Sequence, residues 1–378
     1  MLKKKVLVTG SNFFLNRHRF LFDEMADHLN GIDYISSSDR TMLDKLELSV
    51  KAAFFALMHS VFMRDIPLAA VFDKFTIPKD FQKSSLAFVT KSRQTEKKIS
   101  QLNCTPDLIF QVFCLSSPVL EKLDIPYCYY LDYTTKLAKK IWSPWSPLDS
   151  EYDDWINCER RAYQNALHLF PMSEWVKVSL IEDYGISPSK ITVVGSSGNF
   201  FKSYEGKKKF GTQRILFNGS DFGRKNGELV LSAFKIVRQI LPDAKLVIIG
   251  GQLETYDEGV SNPGHISISE VQNLFLETDL LVSPAYCDPF PGLLIEAMNY
   301  GVPCIVSAVD GMPEIVDHNR NGLVIPQPTP EVLAHEITNL LNDPARLNAM
   351  SQDARDKVKA KLNWNYVAQK ILSVLETI

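Results

Sequence analysis

Short apolar runs alternate along this chain with longer stretches in which apolar residues recur at spacings of three and four. The runs predict strands at Lys5 to Thr9, Leu68 to Phe72, Asp107 to Val112, Pro126 to Leu131, Leu167 to Phe170 and Ile191 to Val194. After a polar, basic stretch from Lys202 to Lys209 the pattern restarts, with strands predicted at Arg214 to Asn218, Lys245 to Ile249, Asp279 to Ser283, Pro303 to Ser307 and Gly322 to Ile325. Between them lie amphipathic helices: Leu229, Ala233, Phe234, Val237 and Leu241 share one helical face. Strands alternating with helices predict an α/β protein with parallel sheets. The stretch Ser196-Ser197-Gly198-Asn199 together with Lys202 to Lys209 is the best linker candidate. Two doubly wound, Rossmann-like domains are therefore expected, residues 1–198 and residues 199–378. They are expected to face each other across a cleft, with ligands beyond the carboxyl ends of the strands.

Composition narrows the function. At 378 residues the chain is too long for one ordinary core. With 45% hydrophobic and 22% charged residues and a formal net charge of −3, it lacks the basic excess of nucleic-acid binders. The six cysteines show no C-x-x-C spacing and several lie in strand-like runs, which suits buried thiols in a reducing cytoplasm. Met1-Leu2-Lys3-Lys4-Lys5 leads directly into a strand rather than into an export signal. Ala52 to Met63 is uncharged but too short for a membrane span, and reads as a core helix. The histidines are scattered without metal spacing, so no metal is expected.

The candidate chemistry concentrates in the second half. Asp288-Pro289-Phe290-Pro291-Gly292-Leu293-Leu294-Ile295-Glu296 follows a predicted strand, and its prolines hold a loop open before a helix running from Leu293 to Tyr300. Free amides at such a helix start suit a phosphate, and two flanking carboxylates suit sugar or ribose hydroxyls. Phe217-Asn218-Gly219-Ser220-Asp221-Phe222-Gly223-Arg224-Lys225 delivers two cations at the end of another strand, able to neutralise a diphosphate. A solvated basic turn is the alternative for that loop. Asp310-Gly311-Met312-Pro313-Glu314 ends the next strand, and Glu314 reads as the opening of a helix. In the first half, Val8-Thr9-Gly10-Ser11-Asn12 lacks the glycine spacing of a dinucleotide fingerprint.

The order and spacing of these segments resemble the family-4 retaining glycosyltransferases of GT-B fold. The family's two glutamates separated by seven residues map onto Asp288 and Glu296. The resemblance continues through Glu159-Arg160-Arg161-Ala162-Tyr163, Ser173-Glu174-Trp175, Asp183-Tyr184-Gly185-Ile186, Gly301-Val302-Pro303 and Gly311-Met312-Pro313-Glu314-Ile315-Val316. It implies an N-terminal acceptor domain, a C-terminal donor domain, and a closing segment at about 363–378 that returns to the first. The closing helix, about Trp364 to Leu375, has a start signal in Asn363. The activity implied is retaining, metal-independent transfer from a UDP- or GDP-sugar to a hydroxyl acceptor, whether a glycan, a lipid-linked sugar or a small molecule, with no cofactor required.

Carried over by position, Lys225 and Arg224 would bind the diphosphate, assisted by the amides of Gly292 and Leu293 in the turn entered through Phe290 and Pro291. Asp288 would hold hydroxyls of the transferred sugar and Glu296 those of the ribose. Gly219, Ser220, Gly250 and Gly251 would line the donor site, and Gly10, Ser11 and Asn12 would face the acceptor or a phosphate. Asp132 stands where many members place a histidine, with a loop-start cap as its other reading. Ser220 replaces the family's common arginine, and Asp288 is one methylene shorter than its glutamate. Lys136, Lys139, Lys140, Trp142 and Trp145 form a basic, aromatic stretch suited either to peripheral contact with an anionic inner membrane face or to an ordinary rim loop. Alternatives that keep the fold are a nucleotide-sugar epimerase and a sugar-nucleotide binding protein of weak catalytic power.

Overall fold

The computed structural model describes residues 2–37, 42–58, 79–120, 123–200, 202–253 and 257–378. They form two compact units, Met1–Val194 with Ala368–Ile378, and Gly195–Val367. The strands, in chain order, are β1 (Val6–Gly10), β2 (Ile32–Ser36), β3 (Leu108–Val112), β4 (Tyr127–Leu131), β5 (His168–Pro171), β6 (Arg214–Asn218), β7 (Lys245–Ile249), β8 (Val260–Gly264), β9 (Leu280–Ser283), β10 (Cys304–Ser307) and β11 (Gly322–Ile325). The first unit holds the sheet β2-β1-β3-β4-β5 and the second the sheet β11-β10-β9-β6-β7-β8. Every ladder among the described residues is parallel. The α/β class expected from the alternating pattern is therefore what the chain adopts.

Strand order fixes where a ligand can enter. In the second unit the chain runs from β6 outward to β7 on one side, while β9 pairs on the other side of β6. The loops after β6 and β9 consequently diverge at a switch point, where a crevice forms at the carboxyl edge. In the first unit the same divergence falls between β1 and β3. The core of the second unit joins Phe217, Leu246, Val282 and Ile305 of the strands to Val230, Phe234 and Val237 of the Gly227–Ile240 helix. The Pro330–Leu341 helix adds Leu333 and Ile337 to it. Each such fully buried apolar side chain contributes on the order of 1.5–3 kcal/mol, which sets a rigid platform under the edge loops.

One strand expectation needs correction, and two strands were not expected. Ile191–Val194 is not a strand: Ile191 makes an isolated bridge to Leu169 and donates its amide to Pro188, while the amides of Thr192 and Val194 donate to Leu169 and Pro171. β2 was not expected from the pattern, because Ile32-Asp33-Tyr34-Ile35-Ser36 is an edge strand with exposed positions and no apolar run. β8, with the sequence Val260-Ser261-Asn262-Pro263-Gly264, was likewise not expected; it pairs with β7 at the sheet edge, where a proline is tolerated. The expected strand Leu68 to Phe72 lies outside the described residues, as do positions 59–63 of the expected core helix; the remainder of that helix falls within Met42–Met58. Among the described residues no helix is long and apolar enough to cross a membrane. Four cysteines are buried, Cys158 is partly so, and Cys104 is exposed. Burial pushes the Cys128 thiol up to about 12 and raises those of Cys114 and Cys304.

One polar cluster is built into the first unit's core. Glu159, on the Asp149–Asn165 helix, accepts hydrogen bonds from the hydroxyls of Tyr163 (2.9 Å) and Tyr184 and from the amide of Thr135. Burial lifts its carboxyl to about 7, against the pull of those donors. His18 is buried beside Phe113 and Tyr130, and burial lowers it to about 4.

These two groups act on stability with opposite sign. The folded protein binds more protons at Glu159 than the unfolded chain does, so that contribution is complete below about pH 4.5 and is lost as pH rises to about 7. The His18 contribution is present above about pH 6.5 and lost as pH falls toward 4. Glu159→Gln is expected to remove the first slope, a term on the order of 3 kcal/mol, and leave stability rising from pH 4.5 to 6.5. Urea denaturation across pH checks it: an unchanged pH profile in the variant would contradict the assignment.

Candidate functional site

The loop after β6 turns on itself before the Gly227–Ile240 helix. The amide of Lys225 donates to the carbonyl of Asp221 (2.9 Å), and that of Gly227 to Phe222 (2.8 Å). Asn226 ends the turn in the left-handed region at φ 62°, a conformation asparagine tolerates better than most residues. A side chain at Gly227 would strike the Phe222 ring at 2.3 Å. The result buries both cations: Arg224 and Lys225 are 8% and 7% exposed. The solvated-turn reading of this loop is thereby overturned for its two basic residues.

Asp288, on the loop after β9, meets them. Its Oδ2 lies 2.7 Å from Lys225 Nζ and its Oδ1 3.7 Å from Arg224 Nη1. Arg224 also donates to Asp221 Oδ2 (2.7 Å) and to the carbonyl of Cys287. The amide of Asp288 donates to Asp310 Oδ2 (2.8 Å), and Asp310 sits at φ 50° after β10. Three consecutive edge loops are thus tied together by charge. Burying these groups unpaired is prohibitive, so the pairing dictates loop placement.

The Gly292–Asn299 helix begins directly after this loop, with Pro291 at its N-cap and no side-chain cap. The amides of Gly292 and Leu293 have no hydrogen-bond partner among the described residues. Phe290 and Pro291 are buried in the approach to this turn. One helical turn further on, Glu296 accepts from the backbone amide of Asn199 at 2.8 Å. Beside it lies a cavity of about 100 Å³, lined by residues including Asn199, Phe200, Ile266, Leu293 and Tyr300.

The remaining expected positions sort by unit. Gly219 and Ser220 follow β6, with the amide of Ser220 donating to Asn218 Oδ1 (3.0 Å). Gly250 and Gly251 are glycines for packing between loops: a Cβ would lie 2.8 Å from Asn218 Oδ1 at Gly250, and 2.6 Å from the Gly219 carbonyl at Gly251. Gly10, Ser11 and Asn12 end β1 and open the Asn12–Arg17 helix, at the first unit's own switch point. Asp132 is half-buried in the turn after β4, and the cap of the Thr135–Ile141 helix is Thr134, whose Oγ1 accepts from Leu137. In the basic, aromatic stretch, Lys139 pairs with Asp149, Lys140 lies 5.9 Å from the Trp175 ring, and Tyr133 meets Trp145 edge-on. Among the described residues no group of three or more His, Cys, Asp or Glu is placed to hold a metal. Sequence reasoning did not single out Asp221, Asp310 or Asn199 as site residues. An acidic residue beside a strand-end glycine was the available signal for Asp310, and Asn199 acts through its backbone, which no side-chain pattern announces.

Comparison with known proteins places this site in a family context. Residues 201–357 match the family model of the glycosyl transferases group 1. Over 254 residues the chain is 28% identical to the putative glycosyltransferase YtcC of Bacillus subtilis (strain 168), covering 58% of this chain and 62% of that protein. The chain thus spans less than two thirds of that relative, and an uncharacterized glycosyltransferase of Methanocaldococcus jannaschii, 30% identical over 172 residues, is covered over 44% of its length. Among solved structures, a sucrose-phosphate synthase from Thermosynechococcus elongatus superposes with TM-score 0.69 at 16% identity, covering 99% of each chain. Anabaena Alr3699/HepE, solved in complex with UDP-glucose, gives TM-score 0.65 at 14% identity over the whole of both chains. The fold is accordingly the GT-B α/β architecture of solved glycosyltransferases.

The ion pair has a stability signature of its own. Lys225→Met leaves the Asp288 carboxylate buried with Arg224 as its remaining cation, and is expected to cost about 3 kcal/mol. Lys225→Met with Asp288→Asn together is expected to regain most of that loss. Chemical denaturation of the two single variants and the double decides; strictly additive losses would show that the groups do not depend on each other.

Proposed function

We propose that the protein is a retaining glycosyltransferase of family-4 type, moving a sugar from a UDP- or GDP-sugar to a hydroxyl acceptor. The observation that carries this reading is the Lys225–Asp288 pair beside an uncapped helix start, at the switch point of a sheet within residues 201–357, which match the glycosyl transferases group 1. A sugar nucleotide presents hydroxyls and phosphate oxygens side by side across its anomeric bond. A carboxylate touching an ammonium offers the matching acceptor and donor in the same order.

In this reading Asp288 takes hydroxyls of the transferred sugar, while Lys225 and Arg224 face the diphosphate with the amides of Gly292 and Leu293. Glu296 takes the ribose hydroxyls, with the adjoining cavity available to the nucleoside. Charge accumulates on the leaving diphosphate as the glycosidic bond breaks, and fixed cations and amides stabilise that charge without having to reorganise. The first unit supplies the acceptor side through Gly10, Ser11, Asn12 and Asp132. The reaction draws its charge compensation from side chains and backbone and so requires neither metal nor other cofactor. The setting is the cytoplasm or the inner membrane face, with a glycan, a lipid-linked sugar or a small molecule as acceptor.

A thermal-shift panel of UDP, GDP and their sugars tests the donor site. One nucleotide series is expected to raise the midpoint, by about 2.7 kcal/mol of stabilisation at a hundredfold excess over Kd, and Glu296→Ala is expected to abolish the shift. With a donor and acceptor in hand, Lys225→Ala should lower kcat by roughly 10²–10³, while a chelator leaves turnover unchanged. Proton NMR of the product should show the donor's anomeric configuration. Silence toward every nucleotide, or an inverted product, would overturn the proposal.

A further inference from the structure

Glu296 is held by a piece of backbone that has no side chain in the way. The amide of Asn199 donates to Glu296 Oε1 at 2.8 Å. The preceding residue can approach that closely only as glycine. A Cβ on Gly198 would lie 2.4 Å from Glu296 Cγ, 3.1 Å from the Glu296 nitrogen and 2.9 Å from the Phe200 ring.

The peptide of Gly198 is itself clamped from the far end of the unit. The indole N–H of Trp364 donates to the Gly198 carbonyl at 2.9 Å, and Ser197 Oγ donates to the Leu362 carbonyl at 3.0 Å, both in buried surroundings. Trp364 is the first residue of the Trp364–Leu375 helix, whose start is fixed by Asn363 Oδ1 accepting from the Tyr366 amide at 2.9 Å. The second unit spans Gly195–Val367, so these bonds join its opening and closing segments on the back of Glu296.

We propose that Gly198 and Trp364 are positioning residues for the Glu296 carboxylate: Trp364 fixes the Gly198 peptide, and the adjoining Asn199 amide orients the carboxylate for the vicinal hydroxyls of a ribose. This rests on the donor-site reading given above. A glutamate with one oxygen already fixed by backbone has fewer rotamers to lose when a diol arrives. Neither positioning residue touches the ligand.

The test uses the full chain, with calorimetric titration of UDP and GDP and amide exchange at Asn199. Trp364→Phe keeps the ring and removes the donor; it is expected to speed exchange at Asn199 and weaken nucleotide binding about fivefold, the size of one lost hydrogen bond. Gly198→Ala is expected to weaken binding tenfold or more, on the order of a close steric conflict. In a Glu296→Asp background, whose shorter carboxylate falls short of the Asn199 amide, Trp364→Phe should cost no further affinity. A purely structural role would give the same penalty in both backgrounds and would overturn the proposal. If Gly198→Ala does not fold, Trp364→Phe decides alone: wild-type affinity and wild-type Asn199 exchange would overturn it. Wild-type protein blind to both nucleotides, or Glu296→Ala binding as well as wild type, would instead remove the donor-site reading and this inference with it.

Discussion

The second unit is organised around a charge that cannot be left alone. Lys225 and Asp288 reach each other at 2.7 Å from loops on either side of the switch point, both almost wholly withdrawn from water. Unpaired, either would cost several kcal/mol, so the loops after β6 and β9 have little freedom to settle elsewhere. Asp221 and Asp310 extend the same demand to Arg224 and to the Asp288 backbone. A core of aliphatic and aromatic side chains makes the sheet rigid, but it is the ion pair that turns three loop ends into one constellation.

Such a pair stabilises little on balance, because desolvation offsets most of the attraction. Its retention at a sheet edge makes more sense as preorganisation. The ammonium and carboxylate are already desolvated and oriented, and a ligand that brings its own phosphates and hydroxyls replaces one set of partners with another. The first unit uses buried polar groups differently. Glu159, with Tyr163, Tyr184 and the Thr135 amide, closes a network in the core that pins the turn carrying Asp132. Fully satisfied networks of this kind specify one packing, and the raised Glu159 carboxyl ties that packing to pH.

The parts of this arrangement that could be read from sequence were those written in side-chain periodicity. β6, β7 and β11 are buried apolar runs, and their limits coincide with the pattern. Edge strands carry no such signature: β2 has two adjacent exposed positions, Asp33 and Tyr34, and β8 contains Asn262, Pro263 and Gly264. Ile191 to Val194 has strand composition but makes a single isolated bridge, to Leu169, which no composition reveals. At the site, the acidic loop and the cationic loop were legible because charge at strand ends is conspicuous. That they meet each other was not, since sequence gives no distance between segments so far apart. The same holds for Gly250 and Gly251, which serve contact between two loops, and for Asn199, which works through its amide.

The central claim is that the carboxyl edge of β6 and β9 holds a sugar nucleotide. Hydrogen-exchange mass spectrometry of the protein with and without UDP or GDP tests it most directly. The account predicts ligand-induced protection in the peptides spanning residues 218–227 and 286–297, where the cations and the helix-start amides lie. Protection confined to other segments, or none with either nucleotide at saturating concentration, would contradict it.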